Sequence, residues 1–441
     1  MTNVFSQKFN FGQFLRFVAP AIISMVFISL YTIIDGIFIS NFVNSTALAS
    51  INIILPLNGI VFGFAIMMAT GGSAIVGSKL GAKNNDDANK TWSLIFYFSI
   101  GVGVILTVLG LLFIDKLLNM LGATPELFGY CKTYGIIFIS IIPFAIGKII
   151  LEYFIRTDGK FMLSLALSII GGIINIVFDY IFIVILGMGI AGAAIATAMG
   201  IAISALIGFI YFFTKHSTLK LVKPKMNVKA LGEVMVNGSS EMLTELSTGI
   251  TTYLFNLSAL KFAGADGVVA VTIILYAHFL MMSTFLGFVT GVSPIISYNH
   301  GSKNSNKIKE TMKHSSIFLG ISSMLIFVIA ELGAPYIINT FITVDNAAYP
   351  LTLEGMRLFS LGFLFMGINI FASGLFTSFS NGKISAMISL SRSLVFILIG
   401  LAILPQFLQF NGVWLTIPLA ESVTLLLSWF FFKKYKRVYS Y

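Results

Sequence analysis

The sequence predicts an all-α polytopic membrane protein with twelve transmembrane helices in two pseudo-symmetric six-helix bundles. Three observations support this class: a scarcity of charge, a series of long apolar runs and a repeat between the halves of the chain. Of 441 residues, 57% are apolar and 10% are charged, whereas a soluble domain carries about 25% charged residues. Little of the surface can therefore face water, and lipid must be the main solvent.

The apolar runs have the length of membrane-spanning helices, since about 20 residues suffice to cross a hydrocarbon core of about 30 Å. A transmembrane β-barrel would instead show short segments of alternating polarity, and runs such as IIGGIINIVFDYIFIVILGMG are continuous. Breaks in the apolar pattern give twelve predicted spans: 12–41, 47–78, 87–113, 126–153, 161–186, 190–214, 230–261, 267–299, 306–332, 349–378, 384–404 and 412–433.

A polar connection divides the spans into two sets of six. Residues 215–229, KHSTLKLVKPKMNVK, form the longest such connection and carry five lysines. The sequence therefore predicts an N-terminal lobe over residues 1–214, a basic linker, and a C-terminal lobe over residues 230–441.

The two lobes are related in sequence. SAIVGSKLGAKNNDDANKTW (73–92) aligns with SPIISYNHGSKNSNKIKETM (293–312), and TDGKFMLSLALSIIG (157–171) aligns with SNGKISAMISLSRSL (380–394). Because each lobe has an even number of spans, equivalent segments keep the same orientation, as in a parallel repeat about an axis along the membrane normal. Two such bundles usually enclose a cavity in which a substrate binds.

The distribution of lysine and arginine predicts the orientation. With the N-terminus inside, 21 of the 27 basic residues fall in the inner segments. The inner set is Lys8, Arg16, Lys79, Lys83, Lys90, Arg156, Lys160, the five linker lysines, Lys303, Lys307, Lys309, Lys313, Lys383, Lys433, Lys434, Lys436 and Arg437. The positive-inside rule then places both termini in the cytoplasm of a bacterial cell, with the chain in the inner membrane. This bias explains the net charge of +10, so no nucleic-acid partner is expected.

The composition argues against catalysis. The single cysteine, Cys131, excludes an intrachain disulfide and a cysteine-based metal site. The four histidines show no metal-ligand spacing. An intramembrane enzyme would need a nucleophile and base, or metal ligands, at one depth, and none is evident. We therefore expect neither an enzyme nor a cofactor or metal.

Four polar residues of the first lobe are predicted to share one depth. Asp35, Asp179 and Thr197 lie at similar distances from the outer ends of their spans, and Asn175 is one helical turn before Asp179. A charged side chain within the membrane costs about 3 kcal/mol or more, which marks it as a functional candidate. Two carboxylates, an amide and a hydroxyl form an oxygen-rich site suited to a proton or to Na⁺. The alternative is that each group is satisfied separately by helix packing.

Pro20 lies within the first span, on the same helix as Asp35. A proline removes a backbone hydrogen bond and can bend a helix. A bend that changes when Asp35 or Asp179 is protonated would couple the ion to the conformation, and the alternative is an inert kink.

A second group of charged residues is predicted in the C-terminal lobe. Glu241, Glu245, Arg392 and Glu421 lie at similar distances from the cytoplasmic side. They form either an acidic cavity wall that attracts cations or a structural salt-bridge cluster. The possible apolar walls of such a substrate cavity are Phe255, Met281, Met282 and Phe285. Lys148 and Glu152, one turn apart in the fourth span, are expected as a surface pair.

Three motifs in order give the chain a family resemblance. PAIISMVFISLYTIIDGIFIS (20–40), NIVFDYIFI (175–183) and GIAGAAIATAMG (189–200), on a duplicated twelve-span chain, resemble the multidrug and toxic compound extrusion (MATE) family, particularly its DinF-related and MepA-like members. The resemblance covers nearly the whole chain.

The resemblance implies two six-helix lobes around a central cleft and an antiporter that exports organic cations and amphipathic drugs in exchange for protons or sodium by alternating access. It also implies that Asp35, Asn175, Asp179 and Thr197 form the cation-coupling site and that Pro20 bends its helix. Sodium-coupled relatives use acidic residues on the seventh and tenth helices. The tenth span here has no carboxylate at mid-depth, which favours protons over sodium.

The expected partners are drug-like organic cations and the lipid bilayer, and the expected oligomeric state is a monomer. The alternative function is a flippase for lipid-linked precursors, built from two related lobes. The acidic bias of the predicted cavity favours cation export.

Overall fold

The computed structural model describes residues 5, 7, 9–43 and 45–441, without the side chains of residues 40, 41, 45 and 48. Lys8, one of the predicted inner basic residues, lies outside the described part. The described chain is almost wholly helical. The helices of the first half are α1 Phe11–Phe42, α2 Ser45–Gly81, α3 Asn85–Leu112, α4 Ile114–Met120, α5 Pro125–Thr157, α6 Phe161–Asp179 and α7 Gly189–Tyr211. Those of the second half are α8 Val228–Gly301, α9 Ser305–Leu332, α10 Ala334–Asn339, α11 Ala348–Ser360, α12 Phe363–Ser378, α13 Gly382–Leu390, α14 Phe396–Trp414 and α15 Thr416–Tyr439.

The described helices make twelve passes, which confirms the predicted fold. Helix α8 is 74 residues long and breaks at Gly264, where φ is 60°, so it crosses twice. Helices α11 and α12 are bent by 51° and form one pass. Helices α13 and α14 are joined through the π-helical turn Ser391–Val395 into another. Helices α4 and α10 are too short to cross and connect neighbouring passes.

The repeat extends to the local structure at the starts of equivalent helices. Asn84 caps α3 by accepting a hydrogen bond from the Asp87 amide, and Asn304 caps α9 in the same way from Lys307. The residue before each cap, Lys83 or Lys303, has a left-handed backbone with φ of 61° or 56°. The same turn therefore begins the third pass of each lobe.

Two large hydrophobic cores correspond to the two lobes, and each includes side chains of the other lobe. A smaller cluster of Phe376, Ile384, Ile388 and Phe431 lies in the second lobe. The first core gathers buried side chains from α2 to α7 together with Leu231 and Val234 at the start of α8. The second gathers side chains from α8 to α15 together with Phe14 and Val18 at the start of α1. The first helix of each lobe thus begins in the core of its neighbour.

The lobes touch closely along the end of the molecule that carries the 82–84, 158–160 and 302–304 connections, here called the basic end. Backbone meets backbone there, because a Cβ on Gly238 would collide with the Met67 carbonyl and one on Gly301 with the Ser78 carbonyl. A Cβ on Gly287 would lie 2.5 Å from the Cα of Ile22. Small residues let helices approach this closely. This glycine seam joins α1 and α2 to α8.

The linker after α7 docks on the first lobe through Asp158. This side chain, in the connection between α5 and α6, accepts hydrogen bonds from the hydroxyls of Tyr211 (2.5 Å) and Ser217 (3.1 Å) and from the Thr218 amide. Burial raises the pKa of Asp158 above its ordinary value, while these hydrogen bonds oppose the shift. The linker is therefore held against the lobe that precedes it.

Candidate coupling and substrate sites

Asp35 and Asp179 meet in the first lobe. Asp35 lies on α1, and Asp179 is the last residue of α6, directly before the π-helical turn Tyr180–Ile185. The two carboxyl groups are neighbours. A hydrogen bond between them would need a proton on one of them, because an ionised carboxylate only accepts. The geometry therefore fits two carboxyl groups that share a proton.

The acceptors of this site outnumber its donors. Both carboxylate oxygens of Asp179, Oδ1 of Asp35 and Oδ1 of Asn175 are buried, and no other side chain or amide of the described residues donates to them. The Asn175 amide donates to the Thr197 hydroxyl at 3.2 Å. An ionised carboxylate buried without a donor or a counter-ion is unstable. A proton or a monovalent cation would supply the missing positive charge, so the residues fit either ion.

Glycines bring the three helices of this site together. On α6, Gly172 has no room for a Cβ because the rings of Phe27 and Tyr31 on α1 occupy that space. A Cβ on Gly200 of α7 would lie 2.5 Å from the Gly171 carbonyl. Asp35, Asp179 and Thr197 are therefore held on backbones in close contact, one turn or two beyond these crossings.

Pro20 is buried inside α1, which continues as one helix from Phe11 to Phe42. It lies between Val18, which packs in the second core, and Phe27, which packs against α6 of the first lobe. The proline therefore occupies the part of α1 that passes from one lobe to the other.

Glu241 and Glu245 lie on α8 at the interface between the lobes. A Cβ on Gly63 of α2 would be 3.4 Å from the Cβ of Glu245. The Glu245 side chain is exposed and that of Glu241 is partly exposed. Within the described residues, neither carboxylate has an ion pair or a hydrogen bond. Two carboxylates without a partner in the described part of the chain therefore lie where α8 packs against α2.

Arg392 and Glu421 pair inside the second lobe, and Arg392 also lies near enough to Glu241 to act on its charge. Arg392 Nη1 lies 3.2 Å from Glu421 Oε1, and the two residues are 8% and 2% exposed. The Asn369 amide donates to Glu421 Oε2 at 2.7 Å and to the Glu421 carbonyl at 2.8 Å. The Ser428 hydroxyl donates to Asn369 Oδ1. This buried pair agrees with the structural alternative for Arg392 and Glu421, and the role of Glu241 and Glu245 stays a prediction.

The predicted apolar walls are partly corrected. Phe255 and Phe285 are 3% and 0% exposed in the second core, where Phe285 packs on Gly367. Met281 and Met282 are partly buried against the same core. The two phenylalanines do not line an open cavity in this conformation.

Two charged features were missed or misread from the sequence. Lys148, Glu152 and Arg156 form a buried cluster, with Lys148 Nζ 3.3 Å and Arg156 Nη2 3.8 Å from Glu152 oxygens. The expectation of a surface pair is therefore wrong, since Glu152 is 5% exposed. His278 is buried against Phe359, and its Nε2 has no hydrogen-bond partner among the described residues. The sequence did contain a sign of the Lys148–Glu152–Arg156 cluster, because Arg156 follows Glu152 by four residues and so lies on the same helix face.

Solved structures share this architecture. A multidrug-resistance transporter in an outward-facing conformation superposes with a TM-score of 0.91 at 21% identity, over 97% of this chain and 96% of that one. A transporter from Pyrococcus furiosus gives a TM-score of 0.90 at 20% identity, with the same coverage. At this identity the likeness shows the fold, which defines the class: a two-lobed, twelve-helix membrane transporter fold.

The sequence comparisons identify the family. The MatE family model matches residues 20–181 and 240–402, one segment in each half. The multidrug export protein MepA of Staphylococcus haemolyticus is 27% identical over 433 residues, covering 97% of this chain and 94% of the relative. MepA of Staphylococcus aureus strain RF122 is 26% identical over 424 residues, covering 94% and 92%. The chain belongs to the MATE family, as its motifs indicated.

Proposed function

We propose that this protein is an antiporter that exports lipophilic organic cations in exchange for protons by alternating access. The observation that carries the proposal is the buried Asp35–Asp179 carboxyl pair, whose acceptors lack donors. A group of this kind is stable when it holds a proton and unstable when it has lost it. Proton binding and release then change the free energy of one lobe conformation relative to the other.

The substrate class is proposed from the lobe interface. Glu241 and Glu245 present two unpaired carboxylates beside α2. A positively charged amphipathic ligand between the lobes would offset their charge. Glu241, Glu245 and Glu421 carry three negative charges against the one positive charge of Arg392, so an acidic bias remains. The MepA relatives are multidrug export proteins by name, which agrees with a broad range of substrates.

Protons are preferred to sodium for a structural reason. The contact between the carboxyl groups of Asp35 and Asp179 needs a proton to be a hydrogen bond. Sodium would bind through oxygens of Asp35, Asn175, Asp179 and Thr197, which the site also offers. The proton assignment is therefore open to a direct test.

The orientation follows from the basic residues. We propose that the basic end faces the cytoplasm of a bacterial cell, so that both termini lie on the cytoplasmic side of the inner membrane. The glycine seam then closes the cytoplasmic side, and the space between the lobes faces outward. The protein acts in this scheme as a monomer in the bilayer, without a cofactor.

The experiment is transport of a fluorescent organic cation in proteoliposomes, driven either by a pH gradient at equal sodium or by a sodium gradient at equal pH. We expect transport with the pH gradient alone and none by Asp179→Asn. The matched control is Asp115→Asn, which makes the same chemical change at an exposed carboxylate paired with Lys132. Transport that follows sodium and ignores pH would overturn the proton assignment, and no transport with either gradient would overturn the antiporter.

A further inference from the structure

A groove lies on the outer surface of the second lobe, between α9 and α15. It has a volume of about 570 Å³ and a floor formed by Phe371 of α12. Three lysines line it: Lys313 of α9 and Lys433 and Lys436 of α15. All three side chains are exposed. In the described part of the chain, none of them forms an ion pair with a carboxylate, so their charges are available to a ligand.

The groove is basic at one end and apolar at the other. Helix α9 starts at the basic end, so Leu319 lies about 9 Å deeper than Lys313 at about 1.5 Å per residue. Helix α15 runs in the opposite direction, and Trp429 lies about 6 Å deeper than Lys433. The Lys433 ammonium is held 4.3 Å from the centre of the Trp429 ring. A tryptophan below a row of lysines is typical of a membrane–water interface.

The walls below the lysines face the bilayer. Trp429, which lines the groove, is 58% exposed. Farther from the lysines on the same two helices, Leu426 of α15 and Ile321 of α9 are 68% and 59% exposed. Apolar side chains with this exposure on a membrane protein contact lipid chains. The groove therefore opens sideways into the membrane as well as toward the basic end.

From this arrangement we propose that the groove is a binding site for one anionic glycerophospholipid. The phosphodiester would lie among Lys313, Lys433 and Lys436, and the acyl chains would descend along Trp429 and the exposed apolar side chains deeper on α9 and α15. The complementarity is twofold, since positive charge meets the headgroup and apolar surface meets the chains. Basic pockets between transmembrane helices on the cytoplasmic side bind anionic headgroups in this way. The inference is independent of the transported substrate and of the coupling ion.

The test is native mass spectrometry of the purified full-length protein, titrated with phosphatidylglycerol in detergent. The variant is the triple substitution K313Q/K433Q/K436Q. The matched control is K309Q/K383Q/K434Q, which removes the same charge from exposed lysines at the same end that do not line the groove. We expect one tightly retained phosphatidylglycerol in wild type and control, and affinity lower by at least about tenfold in the groove variant.

Two further arms separate lipid from free phosphate and from nonspecific binding. Phosphatidylcholine with the same acyl chains should be retained weakly, and glycerol 3-phosphate should not displace phosphatidylglycerol. Equal loss in both triple variants, or equal retention of phosphatidylcholine, would overturn the site. Displacement by glycerol 3-phosphate would show a site for soluble phosphate instead of lipid and would also overturn it. If the triple variant does not fold, Lys433→Gln against Lys434→Gln, adjacent on α15, carries the same comparison.

Discussion

The two lobes bury their charged side chains in opposite ways. In the first lobe, Asp35 and Asp179 are neighbours, and Asp35 Oδ1 and both Asp179 oxygens have no donor among the described residues. In the second lobe, Glu421 forms a salt bridge with Arg392 and accepts two hydrogen bonds from the Asn369 amide. The backbones of the lobes are related, yet their carboxylates differ in partners. Those of the first lobe lack hydrogen-bond donors among the described residues, whereas Glu421 has an ion pair and hydrogen bonds.

Under the proposed function, this difference separates a site that exchanges an ion from one that holds helices together. A buried carboxylate without a partner costs free energy, so it is tolerated where it is neutralised reversibly. A buried pair with good hydrogen bonds is stable while both partners remain and unstable when one is removed. Substitutions in the two lobes should therefore fail in different ways: through activity in the first and through folding in the second.

The largest effect is expected from Asp35→Asn and Asp179→Asn. Either change removes a proton-binding carboxyl group, and export should fall to the level of cells without the protein. Thermal stability should stay equal to wild type or rise, because a buried ionisable group is lost. Drug resistance of cells and the melting temperature of purified protein measure the two effects. Normal resistance with either variant would contradict the assignment.

Arg392→Met should act on folding instead. It leaves Glu421 buried without its partner and should lower the free energy of unfolding by roughly 3–5 kcal/mol. The double variant with Glu421→Gln should recover part of that loss, because the uncompensated charge is gone. Unfolding in mixed micelles measures both. A single variant as stable as wild type would show that the pair does not hold the helices.

The variants Glu241→Gln and Glu245→Gln test whether the interface carboxylates attract cations or hold helices together. If they attract cations, each change should weaken binding of a fluorescent cation by roughly fivefold to tenfold, or about 1 kcal/mol, and leave a neutral dye unaffected. Fluorescence polarisation in detergent gives the affinities. Unchanged affinity together with lower stability would place these carboxylates with the structural network of the second lobe.

The smallest effect is expected from Thr197→Val. It removes the acceptor of the Asn175 amide, and a neutral hydrogen bond contributes about 1 kcal/mol. The pH dependence of export should shift slightly while export remains. Thr424→Val is the control, because this buried hydroxyl in the second lobe bonds only to the Ala420 carbonyl of its own helix. Equal effects of the two changes on the pH profile would assign no special role to Thr197.

Hydropathy and spacing predicted the parts of this molecule that depend on position along a helix. The twelve passes agree with the predicted spans because lipid requires a long apolar segment for each crossing. Counting residues from the span ends placed Asp35 and Asp179 at one depth, and the structure brings their carboxyl groups into contact.

What the sequence did not provide is the rotation of each helix about its axis. In a membrane protein, the lipid-facing and core-facing sides are both apolar, so no hydrophobic stripe indicates which side is buried. Phe255 and Phe285 were for that reason named as possible cavity walls, although both are buried within the second lobe. Lys148 and Glu152 were assigned to the surface for the same reason.

The exchange of helix ends between the two cores has a mechanical consequence. Any movement of one lobe relative to the other requires the helices that join them to bend without leaving either core. Helix α1 starts in the second core and ends beside α6, while α8 starts in the first core and continues into the second. Pro20 and Gly238 lie where these helices pass between the lobes. Because each of these two helices is embedded in both cores, separating the lobes would require breaking the packing of α1 or α8 in one of them.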